Sequence, residues 1–454
     1  MVKLFSFIST NQHRYLLWCF MLLLGCGMPN KSHALSSSDD SINPLLPTSY
    51  VGFRYIPSIL GISKNETSLI SEIGAPEPKE TTIRPYVSTS MLYDSNFLRL
   101  PSNALSMAAT GKSGTSEFVK QGAAGVDFDW FISKQHIIIK VDVNQNLYQN
   151  YSSLNYTGWD TLAQWNWQIK NNLSGQIGYT NVETIGNFDF INAPIDNMKN
   201  NLNYFSDTSY LFHPNGKIKI GFYRSETFYN VSRQISNNIE DSAKLELQYV
   251  SPNKSTFGLQ LTRTNGQFPE RQFNEASTVD NAYTRINSAV TWDWRVSIKM
   301  RIFGYFGYTQ QNYEHISAEN FSGLTGKVNT EWKMSEKTLI ELSVKREISA
   351  YNSLVSNFLQ IDGIWFSPTW QVNPKTALTF PITYQVQQFI RSSVNPVGSE
   401  QEVDKVRSVG LNLMYHPLKN VSADILLKSE ARESNNSART YQTQSVGVNL
   451  QIVF

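Results

Sequence analysis

Apolar and polar residues alternate at every second position through most of this chain, from about residue 83 to Phe454. In one segment Ile139, Val141 and Val143 are apolar, and the residues between them are polar. Because successive side chains of a strand point to opposite faces, this pattern predicts an all-β region whose strands each have one apolar face. A soluble sandwich, which buries that face, and a membrane barrel, which turns it toward lipid, would both produce the pattern. The same alternation recurs in residues 339–347, 378–386 and 421–427.

A repeat at the turns separates these two folds. Successive aromatic residues of this repeat lie 37 to 45 residues apart, which is the length of two strands and one longer loop. Each aromatic is followed within a few positions by a polar or Pro-containing turn that includes a Lys. The eight tight turns are Trp130–Lys134, Trp167–Asn171, Phe212–Lys217, Tyr249–Lys254, Trp294–Lys299, Trp332–Lys337, Trp370–Lys375 and Tyr415–Lys419.

The connections between these tight turns are longer and more polar, as in residues 101–117, 187–201, 267–280 and 392–403. Short turns on one side and long loops on the other are typical of an outer-membrane barrel, with the short turns in the periplasm. The aromatic at each tight turn would form a girdle at one membrane interface. Together these features predict a transmembrane antiparallel up-and-down β-barrel of about 18 strands in residues 83–454.

Composition supports the β assignment and limits the partners. Aromatic residues make up 13% of the chain and charged residues only 17%, a balance that favours strands. The 39 Lys and Arg nearly equal the 37 Asp and Glu, so the chain lacks the basic surplus that attracts nucleic acid. No apolar run of about 18 residues follows Gly25, so a membrane crossing by the remaining chain requires a closed barrel. We expect no nucleic acid partner.

The first 34 residues have the layout of a secretory signal peptide. Arg14 precedes an apolar run at 15–25, and Ala34 ends a small-residue cleavage site. An uncleaved membrane anchor would need about 20 apolar residues, and this run is shorter. The residues that end at Cys26 resemble a lipoprotein box, so lipidation of Cys26 is the second interpretation. We expect an exported chain that resides in the bacterial outer membrane.

Both cysteines, Cys19 and Cys26, fall inside the predicted signal peptide. The mature chain would therefore form no disulfide and no zinc–thiolate site. Residues 35–82 are rich in Ser and Pro, which is typical of a linker. We predict a partly disordered periplasmic segment there, either a flexible leader or a plug or docking arm.

The end of the chain resembles the closing strand that the barrel-assembly machinery reads. Residues 445–454 end on an aromatic residue with apolar residues at alternate positions before it. The candidate assembly signal consists of Gly447, Leu450, Ile452 and Phe454. Outer-membrane lipid and the barrel-assembly machinery are the partners expected from this pattern.

Tyr93-Asp94-Ser95-Asn96-Phe97, within residues 84–99, resembles the opening strand of outer-membrane porins. Among these it is similar to the EpsL-like proteins associated with exopolysaccharide biosynthesis in Gram-negative bacteria. The resemblance implies a channel or accessory protein for exopolysaccharide export across the outer membrane. It further implies polysaccharide and periplasmic exopolysaccharide-export components as partners. The alternatives are a general diffusion porin, or a structural or adhesive barrel without a transport role.

The polar face of the predicted barrel would line its lumen. A barrel of about eighteen strands leaves an aqueous channel unless something fills it. Charges of both signs in similar numbers predict weak charge selectivity, although they could simply pair across strands and hydrate the lumen. The candidate lumen-lining residues are Asp127, Asp129, Lys140, Asp142, Lys244, Glu246, Lys299, Arg301, Phe303, Tyr305, Lys327, Glu331, Glu341, Lys345, Asp424 and Lys428, with Asp160 and Glu430 on the same face.

One strand is predicted to turn two rings, Phe303 and Tyr305, inward beside Lys299 and Arg301. Rings next to charges could stack on a sugar chain and hydrogen-bond it. The rings could equally belong to an interface girdle or fold into a lumen plug.

Four histidines remain beyond the predicted signal peptide: His136, His213, His315 and His416. Three fall in short turns and one in a long loop, and none has the spacing of a triad or of a metal site. We therefore expect no enzymatic activity, no catalytic or metal-binding residue and no cofactor. A barrel hydrolase or deacylase, assembled from distant strands, is the competing enzyme hypothesis.

Overall fold

The structure of this protein is a computed structural model. It describes residues 81–101, 111, 114–186, 188–189, 191–274, 279–317, 320–350, 356–391 and 401–454. The predicted signal peptide, Cys26 and nearly all of the predicted periplasmic segment lie outside these residues. Within them, no helix is long and apolar enough to cross a membrane. The helical segments are short 3-10 helices at Ser152–Leu154, Val231–Ser236 and Ser437–Arg439.

The described residues form one antiparallel sheet. Its strands are β1 (Thr82–Asp94), β2 (Glu117–Ile132), β3 (Gln135–Tyr148), β4 (Tyr156–Ile169), β5 (Leu173–Ile185), β6 (Met198–His213), β7 (Gly216–Tyr229), β8 (Asn238–Val250), β9 (Thr256–Gln267), β10 (Ala282–Ser297), β11 (Met300–Tyr313), β12 (Phe321–Ser335), β13 (Thr338–Ala350), β14 (Ser356–Asn373), β15 (Thr376–Thr379), β16 (Ile382–Arg391), β17 (Val403–Leu418), β18 (Val421–Ser434) and β19 (Tyr441–Val453).

The sheet closes on itself, because β1 pairs with β2 on one side and with β19 on the other. β15 and β16 both lie between β14 and β17 and form one strand that is interrupted at Phe380 and Pro381. Pro lacks the N–H that the ladder needs, which explains the break. The closed barrel therefore has 18 strands, and the predicted fold class is confirmed.

Connections of very different length lie at the two ends of the barrel. At one end, here called the short-turn end, consecutive strands are joined by turns such as 133–134 and 298–299. All eight predicted tight turns lie there. The other end, here called the long-loop end, carries connections such as 95–116, 186–197 and 268–281. Ser133 and Lys170 adopt positive φ in the short turns, as tight hairpins between twisted strands require.

Outward-facing residues of the strands are largely apolar. The aromatics of the tight turns lie on this face near the short-turn end, and Phe212, Tyr249 and Trp370 each expose about half of their surface. Inward-facing residues are mostly polar and less exposed, because the concave wall and its neighbours cover them. The alternation in the sequence thus separates a lipid-compatible outer face from a polar lumen wall.

The first and last strands form the seam of the barrel. Val87 lies opposite Ile452, and Met91 lies opposite Val448. The backbone N–H of Phe454 donates to the carbonyl of Pro85 at 2.8 Å and extends the pairing by one residue. β1 ends at Asp94, whereas the resemblance assigned residues up to Arg99 to the opening strand; the chain turns inward at Ser95 because Asp94 and Asn96 cap a turn there.

Candidate functional site

The candidate site is the lumen wall and the loops at its long-loop end. The wall collects the polar face of every strand, so most predicted lumen residues lie on it. The structure places on the inward face Asp127, Asp129, Lys140, Asp142, Asp160, Lys244, Glu246, Arg301, Phe303, Tyr305, Lys327, Glu331, Glu341, Lys345, Asp424, Lys428 and Glu430.

Lys299 is an exception, and its prediction as a lumen residue was wrong. It lies with Ile298 in the turn between β10 and β11 and is exposed. The register shift between Arg295 and Ser297 shortens the ladder, so β11 begins only at Met300. Alternation along the sequence does not show where a strand begins, so Lys299, which has the same parity as Arg301, was assigned to the inward face although it lies in the turn.

Ion pairs connect neighbouring strands across the lumen wall. Arg84 reaches Asp129 at 2.6 Å, and the same carboxyl contacts His136 Nε2 at 3.1 Å. Arg301 makes two hydrogen bonds to Asp293, of 2.8 and 2.9 Å. Paired charges of this kind keep the wall hydrated and hold side chains in place.

Like charges nevertheless lie directly opposite each other at several inward positions. Lys327 is registered with Lys345, and Glu331 with Glu341, both between β12 and β13. Such pairs destabilise a sheet unless water or a solute screens them. Lys345 contacts Glu347 at 3.7 Å, whereas Lys327 has no ion-pair or hydrogen-bond partner among the described residues. This arrangement depends on strand register, so the sequence did not reveal it.

The two inward rings are held by charged neighbours. The Arg301 guanidinium lies 4.6 Å from the centroid of Phe303, and Phe303 is buried beneath it. The Tyr305 hydroxyl donates to Glu347 at 3.0 Å. Both rings therefore belong to the wall and not to the outer girdle.

Glycines leave room for large inward side chains to lie over a neighbouring strand. A Cβ added at Gly125 would lie 2.5 Å from the Tyr86 hydroxyl. The missing side chain lets Tyr86 donate to Asp142 on β3 at 2.5 Å. The ring thus reaches across the intervening strand β2 and supports the lumen wall.

Loops at the long-loop end reach across the mouth of the barrel. We call this structure the mouth bridge; it consists of residues 95–100 together with Phe188, Asp189 and Asn192 from the loop between β5 and β6. Asn192 Nδ2 donates to the carbonyls of Leu98 and Arg99 at 3.1 and 2.9 Å. Phe97 packs against Phe188 with ring centroids 5.1 Å apart.

The mouth bridge is anchored on the opposite side at β18 and β19. The guanidinium of Arg432 on β18 donates to the backbone carbonyl of Asp189 at 2.8 Å. The hydroxyl of Tyr441 on β19 donates to the Asp189 carboxylate at 3.4 Å. Five strands, β19 and β1–β4, lie between β18 and β5 in the barrel. The contacts of Asp189 therefore join loops and strands across a width of five strands. The bridge therefore narrows one side of the mouth.

Arg99 is the centre of the mouth bridge. It has positive φ of 58°, an uncommon conformation for a residue other than Gly, and its side chain is buried. Its guanidinium lies 3.0 Å from Asp94 and 3.7 Å from Asp189. Burial opposes the charge of Arg99, but the facing carboxylates outweigh it and raise the pKa of Arg99. The motif of residues 93–97 thus builds a loop anchor.

The bridge divides the lumen wall into two arcs. The loop-bound arc comprises β17–β19 and β1–β6, and the basic arc comprises β7–β16. Acids outnumber bases on the first arc, and bases outnumber acids on the second. The loop-bound arc carries Asp94, Glu117, Asp127, Asp129, Asp142, Asp160, Asp207, Asp404, Asp424 and Glu430 against Arg84, Lys140, Lys199, Lys428 and Arg432; the basic arc carries Lys217, Lys219, Lys244, Arg285, Arg295, Arg301, Lys327 and Lys345 against Glu240, Glu246, Asp293, Glu331, Glu341 and Glu347.

Two histidines have carboxylate partners that their sequence spacing did not predict. His136 contacts Asp129, and His315 Nδ1 lies 3.0 Å from the buried carboxyl of Asp280. Asp280 also accepts the backbone N–H groups of His315 and Ile316. These contacts tie loops together. In the described part of the chain, no group of three or more His, Cys, Asp and Glu side chains is arranged to hold a metal ion.

The candidate assembly residues occupy both faces of β19. Gly447 faces the lumen wall, whereas Leu450 and Ile452 face outward, and the Phe454 side chain is largely exposed. Their role in assembly stays a prediction.

Comparisons with known proteins agree with this architecture. Residues 304–454, from β11 to the C-terminus, match the family described as "Putative beta-barrel porin 2". The C-terminal third of this chain is therefore similar to a porin-type barrel family. The search of curated proteins gave no match.

The similar solved structures all have low sequence identity to this chain. OccK2 (OpdF) of Pseudomonas aeruginosa, solved in complex with glucuronate, is 9% identical, with 83% of this chain and 99% of that chain covered and a TM-score of 0.46. A BenF-like porin from Pseudomonas fluorescens is 8% identical, with 82% and 99% covered and a TM-score of 0.46. The outer membrane channel DcaP of Acinetobacter baumannii is 13% identical, with 84% and 99% covered and a TM-score of 0.41. The fold of this chain rests on its own strand pairing.

Proposed function

We propose that this chain is a passive outer-membrane channel for small hydrophilic solutes. The observation that carries the proposal is the closed 18-stranded barrel with an apolar outer face and an inward face that carries charges of both signs on most strands. Inward apolar residues such as Leu92 and Leu426 pack against Leu98 on one side, but a fully packed core would be apolar throughout, whereas the many charged residues of this wall suit a hydrated lumen. Barrels of this strand number are wide enough for water-filled passage.

The mouth bridge supports small solutes over large ones. It joins the loop between β5 and β6 to the loop between β1 and β2 and to β18, and thereby occupies the mouth above the loop-bound arc. Solutes then pass along the basic arc, where bases outnumber acids. We therefore propose a size limit at the long-loop end and a weak preference for anions.

The test is conductance in a planar bilayer together with swelling of liposomes that contain the purified full-length chain. We expect discrete conductance steps and swelling with monosaccharides that slows steeply for larger sugars. Boiled protein serves as the control for leakage. A barrel that conducts no ions and admits no sugar would contradict the channel and leave the structural or adhesive barrel.

The direction of insertion has its own test. Cysteines placed at Asn253 and Asn373, in short turns, should react only when the periplasm is opened. A cysteine at Ser437, in a long-loop connection, should react on whole cells. The reverse labelling would overturn the proposed orientation. The native cysteines, Cys19 and Cys26, lie in the predicted signal peptide and are expected to be absent from the mature chain.

Export of exopolysaccharide is the second proposal, and the inward surface of Arg301, Phe303 and Tyr305 favours it. Rings beside charged groups suit a sugar chain, although both rings here already have protein partners. Added polymer should then block the conductance, and loss of the protein should reduce secreted polymer. Unchanged polymer secretion without the protein would reject this second function and leave the diffusion channel.

A further inference from the structure

A groove of about 490 Å³ lies on the outer face of strands β5–β9. Two small side chains, Ser206 and Ala243, flank Phe222 in one row of the sheet. Because these residues are short, the surface is recessed on both sides of the Phe222 ring. Ile177 and Tyr204 complete the wall of the groove, and both are exposed.

The groove lies where the apolar part of the outer face ends. On β9 the outward residues from the short-turn end are Phe257, Leu259 and Leu261, followed by Arg263 and then polar residues. On β7 Phe222 is followed by Arg224 in the same way. Side chains therefore change from apolar to charged within the groove itself. This order matches an amphiphile whose chains lie toward the membrane centre and whose headgroup lies toward the long-loop end.

Arg263 is the distinctive charge of this surface. The other outward-facing arginines of the described strands each contact a carboxylate: Arg224 reaches Glu226 and Asp241, Arg346 reaches Asp362, and Arg407 reaches Glu433. Arg263 has no acidic partner among the described residues. It lies beside Ala243 on one side and Ile286 on the other. Among the side chains that the structure describes, none neutralises the Arg263 guanidinium in this groove.

A guanidinium that faces lipid without a counter-charge is costly, most of all at the membrane centre and less near the interface. The two acids nearest along the groove, Asp241 and Glu226, already contact Arg224. An external anion would offset the cost at Arg263. Phosphate is the anion that guanidinium binds in bidentate fashion, and it is also the headgroup charge of membrane lipids.

We propose that this groove binds a phosphorylated lipid of the outer leaflet. The phosphate contacts Arg263, and an acyl chain lies against Phe222, Ala243 and Leu261. The inference rests on the proposed outer-membrane orientation, in which the long-loop end faces outward. It does not depend on whether the lumen conducts.

The test is native mass spectrometry of the full-length barrel released from micelles that contain a bis-phosphorylated lipid A or the same lipid without phosphates. We expect the wild type to retain the phosphorylated lipid at least about tenfold better than Arg263→Gln, because a charge-assisted contact is lost. Arg263→Lys should retain part of the binding. Arg407→Gln, which removes an outward arginine outside the groove, is the matched control and should bind as the wild type does.

A second variant separates the acyl contact from the charge. Ala243→Leu fills the recess and keeps Arg263, so it should weaken retention of both lipids without changing the folded yield. Equal retention by the wild type and Arg263→Gln would overturn the proposal. Equal retention of the phosphate-free lipid, or a dimer through this face that Ala243→Leu disrupts, would also overturn it. Lipid retention without conductance would instead reject only the proposed channel.

Discussion

The two arcs of the lumen wall are built from the same kind of strand but differ in what covers them. The loop-bound arc lies below the mouth bridge, and its acids are held by buried arginines such as Arg99 and Arg432. The basic arc has no comparable crossing among the described residues; there Lys327 lies opposite Lys345 without a carboxylate of its own. The first arc uses charge to fix a loop, whereas the second pairs most of its charges between strands and places Lys327 opposite another cation.

The largest effect should come from breaking the anchor of the loop-bound arc. Arg99→Ala leaves Asp94 buried without its main partner, which costs roughly 3–5 kcal/mol. We expect the mouth bridge to detach, the single-channel conductance to rise and larger sugars to enter in liposome swelling. Protease cleavage within residues 95–100 should increase in parallel.

A double variant, Arg99→Ala with Asp94→Ala, provides the control for that prediction. The double variant removes the carboxylate closest to Arg99 and leaves Asp189 and Glu430 in place, so only part of the lost stability should return. Unchanged conductance and sugar permeability in Arg99→Ala would show that the bridge does not limit passage.

A smaller effect should come from the basic arc. Replacing Lys327 and Lys345 by Glu reverses the charge of an opposed pair on the lumen wall. We expect the reversal potential in a salt gradient to move toward cation selectivity, by roughly threefold in permeability ratio, since potentials near a wall are of the order of kT. The matched control is Arg346→Gln, which faces outward on the same strand. A shift of equal size in that control would show that ion selectivity does not depend on the charges of the lumen wall.

The loops above the basic arc are tied to each other through Asp280 and His315. Burial disfavours the charge of Asp280, but hydrogen bonds from His315, Ile316 and Ala282 outweigh it and lower the pKa of Asp280. Because the pKa of Asp280 is lowered in the folded loop, the stabilisation that the ionised carboxylate gives this loop is complete above the ordinary pKa near 3.8. This stabilisation is lost as the pH falls through the lower pKa of the folded state. The protection factors of the amides of residues 314–317 in hydrogen exchange should therefore stay high near neutral pH and fall only in strong acid.

Asp280→Asn tests the same contact without acid. The loop should lose roughly 1–3 kcal/mol of local stability, and the protection factors of its amides, which correct for the intrinsic exchange rate, should no longer change with pH in the acidic range. Exchange in this variant that still follows the wild-type acid profile would assign the effect to another group.

The smallest effect on the folded state should come from deletion of Phe454. Its side chain is largely exposed, and its backbone adds one hydrogen bond to the seam, worth about 1 kcal/mol. The folded barrel should keep its conductance, while the yield of heat-modifiable protein in the outer membrane falls because the assembly signal is incomplete. Normal yield would show that the terminal Phe has no assembly role.

Much of the architecture follows from local rules that the sequence contains. Alternation predicts strands because side-chain direction has a period of two. The eight aromatic turns predict the strand count and the two unlike ends, because each turn depends on a few neighbouring residues. The inward face of most candidate lumen residues follows from the same periodicity, and Lys299 was misplaced because alternation does not show that β11 begins only at Met300.

The tertiary structure alone decided which inward residues meet. The pairing of Lys327 with Lys345 depends on the register between two strands, and neither residue indicates it locally. The mouth bridge brings together Arg99, Asp189 and Arg432 from three distant parts of the chain. Alternation cannot encode such contacts, because they depend on how closure of the barrel sets loops of different strands above one another. The sequence therefore determined which residues line the lumen wall, and closure of the barrel decided which charges meet on it and how the mouth bridge forms.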